Sequence, residues 1–260
     1  PAPTDAAAEY LLSELVSYGY VPEEERFEAR SRWERFLGEP RDQRNIIAQV
    51  VGRREPGRIL EIGAHYDTVP NSPGADDNAS GVAGVLELAR ILAKRPLDRT
   101  VRFCFFAMEE DGLVGSRHHV AQLRRVEEAI DGIVVFEMIG FTSREKNSQK
   151  APIRIPLLFS PPRRGDFITV VGNFTSGGLG NRFEDCAERY VPRLDFYSVN
   201  RVGGLLRDAA RSDHSPYWEA GMRGINAGGN GTVGGVRPER MALRTCEGDW
   251  PNVRENVREK

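Results

Sequence analysis

Histidine and carboxylate side chains follow three apolar segments of the chain, at the points where the segments end. Polar residues are common at such points, so none of these side chains is informative alone. Their coincidence at three segments indicates a site, because the strands of an α/β sheet present functional residues beyond their carboxyl ends. The residues concerned are His65 and Asp67 after the first segment, Glu109 and Glu110 after the second, and Glu137 at the third.

Imidazole nitrogens and carboxylate oxygens are the ligands of hydrolytic zinc sites, which leave one coordination position open for water. A carboxylate shared by two metal ions holds them about 3.5–4 Å apart, and the pair stabilises both the attacking and the developing oxygen. The loop after His65 supplies two candidates for this shared ligand, Asp76 and Asp77, and spacing alone does not distinguish them. The residue types therefore predict metal-assisted hydrolysis.

The adjacent residues Glu109 and Glu110 indicate a division of roles. Zinc lowers the pKa of its bound water to about 7. A carboxylate that does not bind the metal can then accept the water proton and pass it to a leaving amine. One glutamate would act in this way while its neighbour binds metal. Asp67 would accept the second N–H of His65 and fix the imidazole tautomer.

Alternating strand-like and helix-like segments surround these residues and would position them. Charged residues 20–44 are expected to run over the surface, and the proline-rich residues 142–165 to form a loop. Ser80 is expected to precede and cap an amphipathic helix that extends to Leu92. The same patterns predict strands over 46–51, 58–64, 100–108, 132–138 and 167–172, and further helices over 5–18, 115–125 and 179–190. This alternation predicts a single α/β domain with a central mixed, mostly parallel sheet and helices on both faces.

Composition narrows the classes of function. The chain has 260 residues with 36 basic and 38 acidic side chains, which argues against a nucleic-acid partner bound by phosphate neutralisation. Mean hydropathy is −0.46, and no apolar run approaches the roughly 20 residues that span a bilayer, so a soluble protein is expected. The first residues carry no charged-then-apolar leader. The compartment stays open between the cytoplasm and, if an N-terminal segment has been removed, a secreted or periplasmic location, and the sequence also leaves the oligomeric state open.

Six short blocks, in order along the chain, resemble the co-catalytic zinc aminopeptidase family. That family includes bacterial leucyl aminopeptidases, and glutamate carboxypeptidase and glutaminyl-peptide cyclotransferase are its relatives. The resemblance extends from about residue 8 to residue 227. The blocks are GAHYDT at 63–68, PGADDNASG at 73–81, FAMEE at 106–110, GS at 115–116, FEMIG at 136–140 and SDH at 212–214.

The resemblance implies a site with two zinc ions per chain. His65 and Glu137 would bind one ion, Glu110 and His214 the other, and Asp77 would bridge them. Many family members have aspartate at the position of Glu137, but a glutamate offers the same hard oxygen donor.

The resemblance also assigns residues that act beside the metal. Glu109 matches the general base of the family, and Asp67 matches the aspartate behind the first histidine. A non-proline cis peptide is expected at Asp77-Asn78. The implied activity is that of an exopeptidase, most specifically an aminopeptidase, in which a zinc-bound hydroxide attacks an N-terminal peptide bond. Alternatives on the same scaffold are a glutaminyl cyclase and a carboxypeptidase.

The C-terminal end departs from the family pattern. The family shows a Tyr-His pair and then an Asp-Thr pair before a closing helix, and residues 228–260 contain neither. We therefore divide the chain into a zinc peptidase domain, residues 1–227, and an atypical tail, residues 228–260, interpreted as the degenerate or frameshifted end of the same domain. This loss also raises the alternative of a non-catalytic relative that binds metal or peptide without turnover.

Several other residues have ordinary structural interpretations. Cys104 is expected to be a small buried hydrophobe, and Asp76 a loop carboxylate rather than a ligand. His118 and His119 lie on a predicted surface helix and are expected to be solvated. Asp213 either lies behind the metal ligands or caps the helix that follows it.

Overall fold

One mixed sheet organises the chain. The computed structural model describes residues 3–32, 39–149, 162–201, 203–205 and 207–229. Within them the strands are β1 (Glu23–Ala29), β2 (Arg41–Val50), β3 (Glu55–His65), β4 (Arg99–Phe106), β5 (Gly132–Glu137), β6 (Phe167–Gly172), β7 (Asp195–Val199) and β8 (Gly224–Gly228). They pair in the order β1-β2-β4-β3-β5-β8-β6-β7.

Parallel pairing at the centre of the sheet brings the ends of three strands to one edge. β3 lies parallel to β4 on one side and to β5 on the other, and β5 is also parallel to β8. His65 is opposite Phe106, the last residue of β4. Gly63 is opposite Val135, so His65 and Glu137, each two residues further on, leave the sheet side by side.

Successive side chains of a strand point to opposite faces of the sheet. Helices cover both of these faces. On β4, Phe103 and Phe105 face α1 and α2, whereas Cys104 and Phe106 face α3 and α5. All four of these side chains are fully buried, and burial of one phenylalanine contributes about 1.5–3 kcal/mol. The helices are α1 (Pro3–Tyr18), α2 (Ala79–Leu92), α3 (Val114–Arg125), α4 (Gly177–Tyr190) and α5 (Ser215–Glu219).

The predicted fold class is confirmed: the domain is α/β, with a mixed sheet between helices. No helix in the described ranges combines the length and the apolar character that a membrane crossing requires. Residues 150–161 of the predicted loop, and residues 230–260 of the expected tail, lie outside the described part of the chain. The rest of that loop has a single isolated bridge, between Ser143 and Gly165.

Residues 20–32 and 39–44 lie largely at the surface, as expected, and within them β1 and the start of β2 form an antiparallel hairpin that was not predicted. β1 carries charges on both of its faces, so it lacks the apolar alternation that marks a strand. Its charges pair across the hairpin, with Arg26 bonded to Asp42 at 2.5 Å and Arg44 bonded to Glu24 at 2.8 Å. A charged edge strand of this kind discourages pairing with other chains.

The cap of α2 is also different from the prediction. Asn78, not Ser80, is the N-cap, and its Oδ1 accepts the Gly81 N–H at 3.1 Å. The same oxygen accepts the Met138 N–H at 3.1 Å, and Nδ2 donates to the Phe136 carbonyl at 2.9 Å. One asparagine therefore joins the start of α2 to the end of β5.

A network of charged and polar side chains lies between the sheet and helices α3 and α5, centred on the fully buried Glu61. Glu61 Oε1 lies 3.0 Å from Arg102 Nη1 and 3.2 Å from His119 Nε2, and Oε2 accepts the Tyr217 hydroxyl at 2.7 Å. Buried charges of this kind are tolerated only when they are paired. Cys104 is buried beside this network, as expected, and burial raises the pKa of its thiol to about 12.

The expectation that His119 is solvated is wrong. Its ring is 2% exposed, with Nδ1 at 2.7 Å from Glu25 Oε1 and Nε2 facing Glu61. Burial alone would lower the pKa of His119, but the charge of Glu61 and the contact with Glu25 raise it well above its usual value. Both ring nitrogens face carboxylate oxygens, which only accept, so the ring is held as the imidazolium.

Replacing Tyr217 by phenylalanine should destabilise the protein by about 1–3 kcal/mol, because a buried oxygen of Glu61 loses its donor. Urea unfolding followed by circular dichroism measures the change. Tyr10→Phe is the control, since Tyr10 is 57% exposed and its replacement should cost less than about 0.5 kcal/mol. Equal unfolding midpoints for the two variants would contradict a stabilising role for the Tyr217 hydroxyl.

Candidate active site

The ends of β3, β4 and β5 bring an imidazole and several carboxylates together. His65 Nε2 lies 3.2 Å from Asp77 Oδ1 and 3.3 Å from Glu137 Oε1. His65, Glu109 and Glu137 each offer a ligand atom within 4.8 Å of the other two. Four of the residues predicted from strand ends and the following loop therefore converge.

Asp67 has a wider role than the sequence indicated. His65 Nδ1 lies 3.1 Å from the Asp67 carbonyl and 3.5 Å from its carboxylate, so backbone and side chain both face the imidazole. The Asp67 carboxylate also accepts the N–H of Glu109 at 3.0 Å and that of Glu110 at 3.1 Å. One side chain at the end of β3 therefore orients the histidine and fixes the backbone of both glutamates.

Two methionines turn the chain beside the site. Met108, just before Glu109, has φ +58°, and Met138, just after Glu137, has φ +52°. A residue other than glycine in this left-handed region costs on the order of 1–3 kcal/mol, which the surrounding structure must offset. Both backbones are held by hydrogen bonds, Met108 O accepting from Val114 N and Met138 N donating to Asn78.

The structure distinguishes the two adjacent aspartates that spacing left open. Asp77 contacts His65, whereas Asp76 Oδ1 accepts the backbone N–H groups of Gly140 and Phe141 at 2.9 and 3.0 Å. Asp76 is therefore a loop carboxylate, as predicted. The expected cis peptide at Asp77-Asn78 is present.

Ser212 and Asp213 extend the site from the segment before α5. Ser212 Oγ donates to Glu137 Oε2 at 2.7 Å, a role that sequence spacing did not reveal. The interpretation of Asp213 as a helix cap is wrong, because the N-cap of α5 is His214. Asp213 is instead fully buried, and burial, reinforced by the charges of Glu137 and Asp67, raises its pKa to about 7.

His214 is buried, and its described contacts are with the segment before α5 and with α5 itself. Its Nε2 donates to the Ala209 carbonyl at 2.8 Å, and its ring packs edge-on against Trp218. Burial lowers the pKa of His214 to about 4, so the ring is neutral and Nδ1 carries a lone pair that has no partner among the described residues. A ring N–H held by a backbone carbonyl is the usual arrangement of a metal-binding histidine. In the described part of the chain no hydrogen bond or ion pair joins His214 to His65, Asp77, Glu110 or Glu137.

The carboxyl groups of the site repel one another. Burial raises the pKa of Glu109 well above its usual value, opposed by His65 and reinforced by Glu137 and Asp213. Burial and then the charge of Asp77 raise the pKa of Glu110 to about 7. The donor set therefore fits a divalent cation that takes nitrogen and oxygen ligands, because such an ion would neutralise the excess negative charge.

The sequence of this chain is similar to those of known peptidases. The sequence model of peptidase family M28 matches residues 45–242. Aminopeptidase YwaD of Bacillus subtilis (strain 168) is 32% identical over 196 residues, covering 68% of this chain and 34% of that protein. The uncharacterized protein YfbL of Escherichia coli (strain K12) is 35% identical over 189 residues, covering 68% of this chain and 56% of that protein. The chain thus spans less than two thirds of the length of either relative.

A solved structure has a fold similar to that of this chain. BSAP, a zinc aminopeptidase from Bacillus subtilis, superimposes with a TM-score of 0.57 at 30% identity. The similarity covers 76% of this chain and 42% of that one.

Replacing Glu110 by glutamine should stabilise the metal-free protein at neutral pH. The pKa of Glu110 rises from 4.5 to about 7 on folding, so the folded protein favours the protonated, neutral form of this residue. The stability that the neutral form contributes is full below pH 4.5 and is lost as pH rises through 7, whereas a glutamine stays neutral. One pKa unit corresponds to about 1.4 kcal/mol, and partial exposure reduces the expected gain to about 2 kcal/mol at pH 8. Urea unfolding in EDTA at pH 5 and pH 8 measures it.

The control for this prediction is Glu188→Gln, at an exposed position on α4. This variant should follow the wild type at both pH values. A gain for Glu110→Gln that is equal at pH 5 and pH 8 would show that the titration of Glu110 is not its cause.

Proposed function

Because the chain belongs to peptidase family M28, we propose that it is a zinc-dependent aminopeptidase that hydrolyses N-terminal peptide bonds. The observation that carries the proposal is the cluster of the buried His65 and Glu137 with the partly exposed Asp77, with Glu109 in reach of the same point. The names of the Bacillus subtilis relatives, an aminopeptidase and a zinc aminopeptidase, support the choice of reaction and metal.

In this proposal the chain holds two zinc ions. His65 and Glu137 would hold the first, Glu110 and His214 would hold the second, and Asp77 would be shared by the two. The neutral His214 ring, whose Nδ1 has no partner among the described residues, supports its part in the second site. When bound, zinc polarises the substrate carbonyl and makes water acidic enough to lose a proton near neutral pH.

Glu109 handles the protons of the reaction. A buried carboxylate with a raised pKa accepts a proton effectively near neutral pH. Glu109 takes the proton of the attacking water and returns it to the nitrogen of the leaving amine when the C–N bond breaks. Asp67 keeps this residue in place through the Glu109 N–H and holds the tautomer of His65. Ser212 orients Glu137 in the same way.

The first experiment counts zinc and tests turnover on the same preparation. Elemental analysis of zinc-reconstituted protein should give two zinc ions per chain. One ion per chain would remove His214 and Glu110 from the ligand set. Turnover is then measured on peptides with free N-termini, blocked N-termini and N-terminal glutamine. Cleavage of free-N-terminal peptides alone is expected; release of C-terminal residues, cyclisation of glutamine, or zinc binding without turnover would each overturn the aminopeptidase assignment.

Replacing Glu109 by glutamine should lower kcat by at least about 100-fold, the usual share of general acid–base catalysis. Zinc content should not change, because Glu109 is not a ligand in the proposal. Glu87→Gln, at an exposed position on α2, should retain wild-type kcat. Wild-type turnover by the Glu109 variant at full zinc occupancy would exclude it as the general base.

A further inference from the structure

The loop that carries Glu109 and Glu110 begins at Ala107 and ends at Gly115. Its two ends meet through a backbone hydrogen bond of 3.0 Å from Gly115 N to Ala107 O. Asn45, in the middle of β2, is fully buried beside this closure. Its Oδ1 accepts the Ala107 N–H at 3.1 Å, and its Nδ2 donates to the Gly115 carbonyl at 2.9 Å. One side chain therefore bonds both ends of the loop.

Gly115 allows this approach. A Cβ at this position would lie 2.2 Å from the Ala107 carbonyl oxygen and 2.4 Å from Asn45 Oδ1. Both distances are far below van der Waals contact, so only glycine lets the loop close against the amide. The closure and the Asn45 side chain thus form one close-packed unit, which we call the Asn45 clamp.

The Asn45 amide is itself fixed from outside the loop. Its Nδ2 lies 3.1 Å from Glu25 Oε2, and Glu25 Oε1 lies 2.7 Å from His119 Nδ1. His119, on α3, belongs to the network around Glu61. Each N–H of the amide has an acceptor and its oxygen has a donor, so its orientation is determined. The buried ionic network therefore ends at the loop of the proposed general base.

We propose that Asn45 is a positioning residue for the reaction, acting through the backbone of the 107–115 loop to hold Glu109 at the site. This inference rests on the proposed function. A displacement of about 1 Å in a reacting group can cost 100-fold in rate. Asn45 bonds the two ends of the loop and Asp67 holds the Glu109 and Glu110 N–H groups between them, so the loop is fixed at its ends and within its length.

The test compares Asn45→Ala with a matched control, Thr100→Val. The Thr100 hydroxyl is also buried and also joins two backbone groups, accepting from Gly52 N at 3.0 Å and donating to Pro56 O at 2.7 Å. It lies at the opposite end of β4 from the loop. Asn45→Ala should lower kcat by about 10–100-fold, with KM within about 2-fold and zinc content unchanged. Thr100→Val should retain wild-type kcat.

Hydrogen–deuterium exchange separates this proposal from the proposed function, because it does not depend on turnover. Backbone amides of residues 107–115 should exchange faster in Asn45→Ala than in the wild type or in Thr100→Val. Unchanged exchange in this loop, or equal loss of kcat in both variants, would overturn the role of Asn45. If the wild-type chain shows no turnover but Asn45→Ala still speeds exchange in residues 107–115, the peptidase proposal is overturned. The structural role of the Asn45 clamp is then retained.

Glu25→Ala provides a second route if Asn45→Ala does not fold. Glu25 is on the edge strand β1. The Glu25→Ala change leaves both hydrogen bonds from Asn45 to the loop in place but removes the bond from Asn45 Nδ2 to Glu25 Oε2. A smaller effect in the same direction is expected, with faster exchange in residues 107–115 and a fall in kcat of a few fold. Wild-type exchange and kcat in this variant would contradict a role for Glu25 in holding the Asn45 clamp.

Discussion

Mutual repulsion of buried carboxyl groups around a single imidazole is the constraint on which the rest of this structure depends. Asp77, Glu109 and Glu137 lie around His65, and Glu110 and Asp213 add to the same field. Such an arrangement opposes folding unless a cation or bound protons neutralise it. The scaffold must therefore hold these groups against their own repulsion, and it does so with rigid attachments to backbone rather than with long, mobile side chains.

These attachments share one design, in which a short polar side chain bonds two backbone groups of a segment that is distant along the chain. Asp67 joins β3 to the Glu109–Glu110 backbone, Asn78 joins α2 to the end of β5, and Asn45 joins both ends of the loop after β4. Short side chains have few rotamers to lose, so such links fix geometry at low entropic cost. The left-handed backbones of Met108 and Met138 persist beside these links.

The site residues that could be predicted from the sequence are those whose chemical type and position at the end of a strand both indicate a site. The central strands were predictable because they are buried on both faces and read as continuous apolar runs. The charged edge strand β1 and the short β7 lack that signal. Contacts between distant positions were not predictable either: His119 is 94 residues from Glu25, and Ser212 is 75 from Glu137. The choice between Asp76 and Asp77 depends on loop conformation, which spacing does not encode.

The edge strand β1 has a consequence for how the chain can be shortened. The match to the family's sequence model begins at residue 45, so a minimal domain drawn from that match would start there and omit α1 and β1. That truncation would remove Glu25, leaving the imidazolium of His119 with one carboxylate and the Asn45 amide with an unused N–H. The segment before residue 45 thus supports the candidate active site from outside. A shortened form of this chain should therefore retain α1 and β1.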